Sequence, residues 1–397
     1  MSRIFSQQKF ILLTFCLLML GNSSFLTAKG LSGVFENLGY VCLLSSIFFR
    51  FIFDKYLLKK SKLFILFCIN VLLFCAAFFV NNNLNSSVKM RLVFSMIIIA
   101  AVSSLAENYF STFDDMRYMA YGMLLGTGIA FLLALLGHLS LTTLAVEGET
   151  GFGFNCGLQH KNYYGADMVS CFIIFYLLYK KYKKNIDKRC LFFIFFLILL
   201  SNSRASYIFL LVFISICVLD KLRNMDWRLC FLIIAFCIFV AVLFALVFYR
   251  FYALKSGSYL YRVQGLINYL NYYSNDLPHM LLGNSEMAFR DPSIDYASAV
   301  RSVIGWNGTV ELSILSILIK NGIIGLCGYL LIYIRWFLIS LKTNFKIRNY
   351  YLAVYFTLIV SAFVENYITN MHVLFGLTGY LILSCFSSFI CKRRVLL

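Results

Sequence analysis

Charge, proline and acid are all scarce in this sequence. Only 13% of its 397 residues are charged, whereas 61% are hydrophobic and the mean hydropathy is +0.82. A soluble protein carries roughly 25% charged residues. So little charge cannot cover a water-facing surface, which argues against a soluble enzyme, a nucleic-acid-binding domain or a disordered chain. The two prolines, Pro278 and Pro292, lie close together and mark one segment as unlike the rest. Acids number 17 against 35 lysines and arginines. A net charge of +18 on so apolar a chain fits the basic loops of a polytopic membrane protein better than a DNA-binding surface.

Several motifs are missing as well. The thirteen cysteines contain no Cys-x-x-Cys pair, and most lie inside apolar runs. They read as small buried hydrophobes, with neither a disulfide nor a metal centre expected. Cys156 alone falls in an extramembrane loop. The chain has no phosphate-binding Gly-x-x-x-x-Gly-Lys-[Ser/Thr] loop and no dinucleotide fingerprint. It has no Asp-x-Asp pair and no His/Cys/Asp cluster at metal-ligand spacing; Asp114 and Asp115 are adjacent rather than spaced. Any activated donor must be held without these devices.

What is present is a series of apolar runs, each near the about 17–25 residues that span a bilayer as a helix. They lie at about 10–28, 34–53, 63–80, 92–106, 118–138, 162–179, 190–203, 205–219, 229–249, 323–341, 351–368 and 373–391. This predicts an all-α polytopic membrane protein of about 12 transmembrane helices, forming a single transmembrane domain over 1–397. The first run, after Arg3 and Lys9, lacks a small-residue cleavage site and reads as an uncleaved helix. With the N-terminus inside, roughly two-thirds of the lysines and arginines fall in inner segments, which predicts both termini in the cytoplasm. Lys180, Lys181, Lys183 and Lys184 then form an inner anchor, with a lipid-headgroup site as the alternative.

The inner loops are short, so chemistry is expected on the outer face. Two outer segments are long, 139–161 and 250–322, and all four histidines fall at or near that face. Within the second, Tyr259, Leu260, Val263, Leu266, Ile267, Leu270 and Tyr273 recur at helical spacing, predicting an interfacial helix with Arg262, Gln264 and Asn268 on its polar side. Residues 309–320 predict a second amphipathic helix that stops at Lys320-Asn321-Gly322, before a span starting at Ile323.

Arginines at that surface are the main chemical signal. Arg204, in Ser201-Asn202-Ser203-Arg204-Ala205-Ser206, is wedged between two apolar runs. It reads either as a snorkelling turn residue or as a phosphate clamp. Arg262 is a headgroup contact or a second clamp arm. Arg250, Arg290 and Arg301 are further candidates. Guanidinium forks match phosphate oxygens in pairs, so two or three converging arginines can bind a lipid pyrophosphate and neutralise it as it leaves. Glu311 is the base candidate, or simply a carboxylate favoured by a helix N-terminus. His160, in Gln159-His160-Lys161-Asn162-Tyr163-Tyr164-Gly165, binds substrate or caps its helix. His372, near Glu365, borders the site, and His279 sits in a flexible stretch beside Pro278.

Four segments together resemble the bacterial O-antigen polymerase and O-antigen ligase superfamily. They are Gly157–Gly165, Ser201–Ser206, the long loop with Tyr261-Arg262 and Leu281-Leu282-Gly283-Asn284, and Glu311 on a helix ending in Lys320-Asn321-Gly322-Ile323-Ile324-Gly325-Leu326. The resemblance implies a C-type membrane glycosyltransferase fold in the bacterial inner membrane. Its donor would be an undecaprenyl-pyrophosphate-linked oligosaccharide used at the periplasmic face, without metal, nucleotide or other cofactor. Arg204 and Arg262 would hold the pyrophosphate, and Glu311 would serve as base. His160, Lys161, Asn162, Arg250, Arg301 and His372 would line the substrate site. Membrane lipids and a chain-length regulator protein are the implied partners, and nucleic acid is not. Ligases carry a histidine near the start of the helix after the loop, where this chain reads Gly305-Trp306-Asn307-Gly308-Thr309-Val310-Glu311. The polymerase is therefore favoured over a ligase that transfers the glycan to lipid A–core. A non-enzymatic flippase or exporter is a third reading.

Overall fold

The structure is a computed structural model that describes residues 2–53, 57–79, 86–143, 152–222, 257–284, 310, 312–342 and 345–393. Helices α1 (Ser2–Leu20), α2 (Ser24–Ala28), α3 (Ser32–Phe53), α4 (Leu57–Cys75), α5 (Ser86–Ser104) and α6 (Asp115–Leu136) come first. A two-residue antiparallel pair, β1 (Thr142–Thr143) and β2 (Gly153–Phe154), precedes α7 (Lys161–Tyr182), α8 (Asn185–Ser201) and α9 (Arg204–Leu222). After them come α10 (Gly257–Tyr272), α11 (Leu277–Leu282), α12 (Ser313–Leu341), α13 (Phe345–Val364) and α14 (Leu374–Arg393).

Helices dominate because a segment in lipid must satisfy every backbone N–H and C=O within itself. Among the described residues, five are long and apolar enough to cross a membrane: Ser32–Phe53, Ser61–Phe78, Asp115–Leu136, Ser313–Leu341 and Ile347–Val364. Gln7–Leu20, Arg204–Val218 and Leu374–Ser387 are apolar but shorter. Large side chains such as Phe49, Ile52, Phe192, Leu211 and Ile334 point outward. In water such a belt is an aggregation surface; in a bilayer it is the solvated one. The chain is an all-α, membrane-embedded protein.

The bundle is built around α1, which packs on α3 and α6, and around α7, which packs on α6, α8, α9 and α14. Trp336, Tyr351 and Tyr380 fill part of the core. A second, smaller apolar cluster joins Tyr269 and Tyr273 to Leu312, Leu315, Leu318 and Ile319, fastening α10 to the first turns of α12.

Two expectations need correction. The first run does not continue to residue 28, because helix α1 ends at Leu20 and α2 starts at Ser24. Between them Ser23 bridges to Leu158, and Asn22 accepts from the Gln159 N–H at 2.9 Å. Those long-range pairs take the backbone groups that a continuing helix would use. The third run holds as a candidate span over Ser61–Phe78, its last turn tightening to 3₁₀ geometry over Ala76–Phe79. His279 is not in a flexible stretch. Asp276 caps the short helix α11 by accepting from the His279 N–H, with Pro278 in the first turn, where its missing N–H costs nothing.

The two ends of the bundle differ in polar chemistry. Gln7 near the start of α1 and Asn22 just past its end at Leu20 are separated by about 20 Å of helix. Gln7 and Gln8 donate to Asp115 at one end. Asn22 donates to the His372 carbonyl at the other.

Candidate active site

At the Asn22 end, His160 is the N-cap of α7. Its backbone is extended (φ −148°, ψ 142°), and Nδ1 accepts from the Asn162 N–H at 3.1 Å. That contact places the ring proton on Nε2 in the neutral form. The cap satisfies one of the orphan donors of the first turn. Lys161 is buried, whereas Asn162 and Tyr163 are half-buried. One turn on, Gly165 faces the serines of the α8–α9 turn. A Cβ there would come within 2.5 Å of Ser206 Oγ and 2.7 Å of Ser201 Oγ. The turn itself is tied locally. Asn202 adopts a left-handed conformation (φ 46°), and Ser206 Oγ donates to Ser203 Oγ at 2.9 Å. Asn202 Nδ2 reaches across to the Phe152 carbonyl at 3.1 Å. Residues 157–165 and 201–206, forty positions apart in sequence, are therefore in direct contact, with exposed Arg204 opening α9 beside them.

A second meeting occurs between α11 and α12. Gly283 (φ 81°) and Gly322 (φ 63°) pack backbone to backbone. A Cβ on Gly283 would lie 2.6 Å from the Ile319 carbonyl oxygen, and one on Gly322 would lie 2.2 Å from that of Leu281. Only glycine fits both the conformation and the gap. Gly322 breaks α12 into two legs, as Lys320-Asn321-Gly322 predicts, so that Ser313–Asn321 precedes the apolar leg from Ile323. The Tyr269 hydroxyl donates to the Leu318 carbonyl at 3.0 Å, and buried Asn284 donates to Tyr273 Oη at 2.8 Å.

The turn from α13 to α14 joins both meetings. Arg262 Nη1 donates to the Val364 carbonyl at 2.7 Å, and Nη2 pairs with Glu365 Oε1 at 3.5 Å. The Glu365 carbonyl accepts from Ser313 Oγ at 2.7 Å. Asn366 Nδ2 donates to the Val310 carbonyl and to Ser316 Oγ, each at 3.1 Å, while Oδ1 accepts from Thr369. Tyr367 stacks edge-on against Tyr163 of α7 and Phe209 of α9. The Met371 carbonyl accepts from the Tyr40 hydroxyl. His372 Nδ1 lies 3.0 Å from Glu36 Oε1. Buried Asp167 of α7 lies close to the start of α14, at Leu374 and Phe375.

The structure thus gathers Arg262, His372 and the start of α12 around one turn, and links His160 to it through Tyr163 and Tyr367. Arg204 sits on the neighbouring α8–α9 turn. Arg250, Arg290, Arg301 and Glu311 lie outside the described residues. The chain on either side of residue 311 is fixed, however, by Asn366 on Val310 and by Ser313 on Glu365. Sequence reasoning overlooked Glu365 and Asn366 as organising residues. Their signal was a polar string, Glu365-Asn366 with Thr369, Asn370 and His372, between two apolar runs. No protein-family model and no curated protein sequence matches the chain.

Proposed function

We propose that this chain is a membrane glycosyltransferase that joins undecaprenyl-pyrophosphate-linked oligosaccharide repeat units, as an O-antigen or related surface-polysaccharide polymerase. The chain would cross the bacterial inner membrane about 12 times, with both termini cytoplasmic and the Arg204–Arg262 end periplasmic. One observation carries the reading. The four segments of the resemblance are far apart in sequence, yet each contacts another or the single turn Val364–Leu374. Convergence of dispersed polar segments at one end of an apolar bundle is what a site built at a membrane surface requires.

In this reading Arg204 and Arg262 bind the donor pyrophosphate and neutralise its growing charge. The acceptor sugar hydroxyl attacks the anomeric carbon from the opposite side. A new C–O bond forms, and the bond to the pyrophosphate oxygen breaks with its electron pair on that oxygen. The hydroxyl proton passes to Glu311. Stabilising the leaving pyrophosphate is the step where fixed guanidinium groups matter most. His160 borders the sugar side, although its Nδ1 is already engaged in the cap.

The test is the lipopolysaccharide of a strain lacking the gene. A core carrying a single repeat unit supports the polymerase. A core with no glycan favours a ligase or a flippase, and unchanged long chains sink all three. Reporter fusions at Lys184 and Lys342 should read as cytoplasmic and those at Asn155 and Asn284 as periplasmic; a cytoplasmic reading at Asn284 inverts the arrangement.

A further inference from the structure

The cations Lys180, Lys181, Lys183, Lys184, Lys188 and Arg189 crowd the junction of α7 and α8, and they are held in two ways. Lys180 lies 5.3 Å from the Tyr176 ring centre, and Lys181 lies 4.4 Å from that of Phe113. Both belong to the last turn of α7, where the helix dipole favours positive charge. Helix stability accounts for those two and not for the next three. Lys184 is the N-cap of α8, with Lys188 and Arg189 one turn on, at the helix end where cations are disfavoured. All three are exposed. Asp187, the acid of that first turn, is wholly buried and turned to Arg117, at 3.0 and 2.9 Å. Lys181 and Lys184 also stand 5.2 and 5.3 Å from the Tyr182 ring centre, so two like charges share one ring. An anion from outside the chain would offset that crowding.

The rest of α8 says which anion. Phe192 and Phe193 lie one turn beyond Lys188 and Arg189 on the same side of the helix, and Phe196 lies one turn beyond Phe192. All three rings are exposed and belong to the outward apolar belt. Cations followed along one helix face by lipid-facing rings match a molecule with an anionic head and an apolar tail. We infer that the start of α8 binds an acidic phospholipid. Its head phosphate sits on Lys184, Lys188 and Arg189, and an acyl chain runs along Phe192, Phe193 and Phe196. Arg189 offers a fork for two phosphate oxygens, and the lysines offer point charges. About 25 Å of helix separates this site from the α8–α9 turn that carries Arg204. The bound lipid is therefore distinct from the donor of the proposed reaction, and the inference does not depend on that reaction.

The experiment titrates the full chain in detergent with phosphatidylglycerol or with phosphatidylcholine, at fixed low ionic strength. Native mass spectrometry reads the dissociation constant of the first lipid bound. The natural chain should hold the acidic lipid at least about tenfold more tightly than the neutral one. Arg189→Gln should weaken the acidic lipid about fivefold, the worth of one basic residue beside an anionic head. Lys184→Gln/Lys188→Gln/Arg189→Gln should bring it to the level of phosphatidylcholine. Where that triple variant fails to insert, the single one decides. Lys180→Gln/Lys181→Gln should bind as the natural chain does. Equal losses in the two sets would mean that binding follows net charge, and the site falls. It falls too if both lipids bind the natural chain alike, or if Arg189→Gln changes nothing. Inorganic phosphate should displace the acidic lipid no better than chloride at matched ionic strength. Specific displacement by phosphate would make this a site for the free anion and overturn the lipid assignment.

Discussion

Arg117 and Arg262 lie at opposite ends of the bundle and are held in opposite ways. Arg117 is buried. Its Nη2 meets both oxygens of Asp187, at 3.0 and 2.9 Å, and its Nη1 meets Asp114 at 2.9 Å. Asp187 is wholly buried. Arg335, at the same end, pairs with buried Glu107 and donates to the Ser103 carbonyl at 2.9 Å. Those guanidinium groups are spent on fixing helices to each other. At the other end Arg262 reaches the Glu365 carboxylate at 3.5 Å and the Val364 carbonyl at 2.7 Å, among its contacts, and Arg204 is exposed at the start of α9. Burial and bidentate pairing mark an arginine that builds the fold. Arg204, by contrast, reaches solvent, as a group that is to meet a ligand must.

The comparison breaks first, and hardest, at Arg117. Arg117→Ala leaves Asp187 buried without a counter-charge, and losing one partner of a buried pair costs about 3–5 kcal/mol. The variant should lose membrane abundance and thermal stability together. Asp187→Asn, which leaves Arg117 with Asp114, should cost less. Thermal unfolding in detergent decides between them. A stable Arg117→Ala would show that this pair is dispensable and that the contrast between the two ends is false.

Arg204→Ala and Arg262→Ala should behave in the opposite sense. Each should insert at normal abundance and fail to extend chains. Removing one preorganised contact to developing charge costs about 2.7–4 kcal/mol, or about 10²–10³ in rate. Arg204→Lys should also be impaired, because lysine keeps the charge and loses the two-pronged donor geometry. The readout is the polysaccharide ladder at matched protein level. Normal ladders from both alanine variants would leave both arginines without a role.

How much of this was readable beforehand depends on the range of the interaction concerned. The Gly322 break was legible, since Lys320-Asn321-Gly322 followed by an apolar run is a local stop signal. The amphipathic period of 259–273 placed α10 equally well. The interruption after Leu20 was hidden, because Phe25 and Leu26 carry the apolar run onward while the cause lies at Leu158 and Gln159. His279 was misread although the local signal existed: Asp276 two residues before Pro278 is a helix start. Glu365 and Asn366 were visible as polar residues in a short turn. Their importance was not, since their partners Arg262, Val310 and Ser313 are distant in sequence, from Ser313, 52 residues before Glu365, to Arg262, 103 before it. The Arg117–Asp187 pair was invisible for the same reason: its members lie 70 residues apart.

A smaller effect sharpens the idea that the second meeting positions the site. Gly322→Ala forces a Cβ onto the Leu281 carbonyl, and left-handed backbone costs a non-glycine residue roughly 1–2 kcal/mol before any clash. Because the glycine lies between the two legs of α12, the expected result is a shifted first leg rather than a lost span. Chain extension should fall more than abundance does. Equal losses of both would mean that Gly322 serves the bundle as a whole.

The smallest effect is expected at Cys156, which sits in the same end of the protein and does no chemistry in this account. Its thiol is a free one, and burial pushes its pKa up to about 12. Desolvation disfavours the thiolate, which is the reactive form. An ordinary cysteine thiol titrates near about 8.5, so its labelling rate levels off above about pH 9. For Cys156 the sign is the reverse of activation. Maleimide labelling of the folded protein should be slow at pH 7 and should still be climbing at pH 10. In denaturant the profile should return to that of an exposed thiol. Cys156→Ser should leave both the ladder and the thermal unfolding nearly unchanged. Fast labelling at pH 7 would show that the segment before α7 opens readily, and the contact between residues 157–165 and the α8–α9 turn would then have to be weaker than its packing implies.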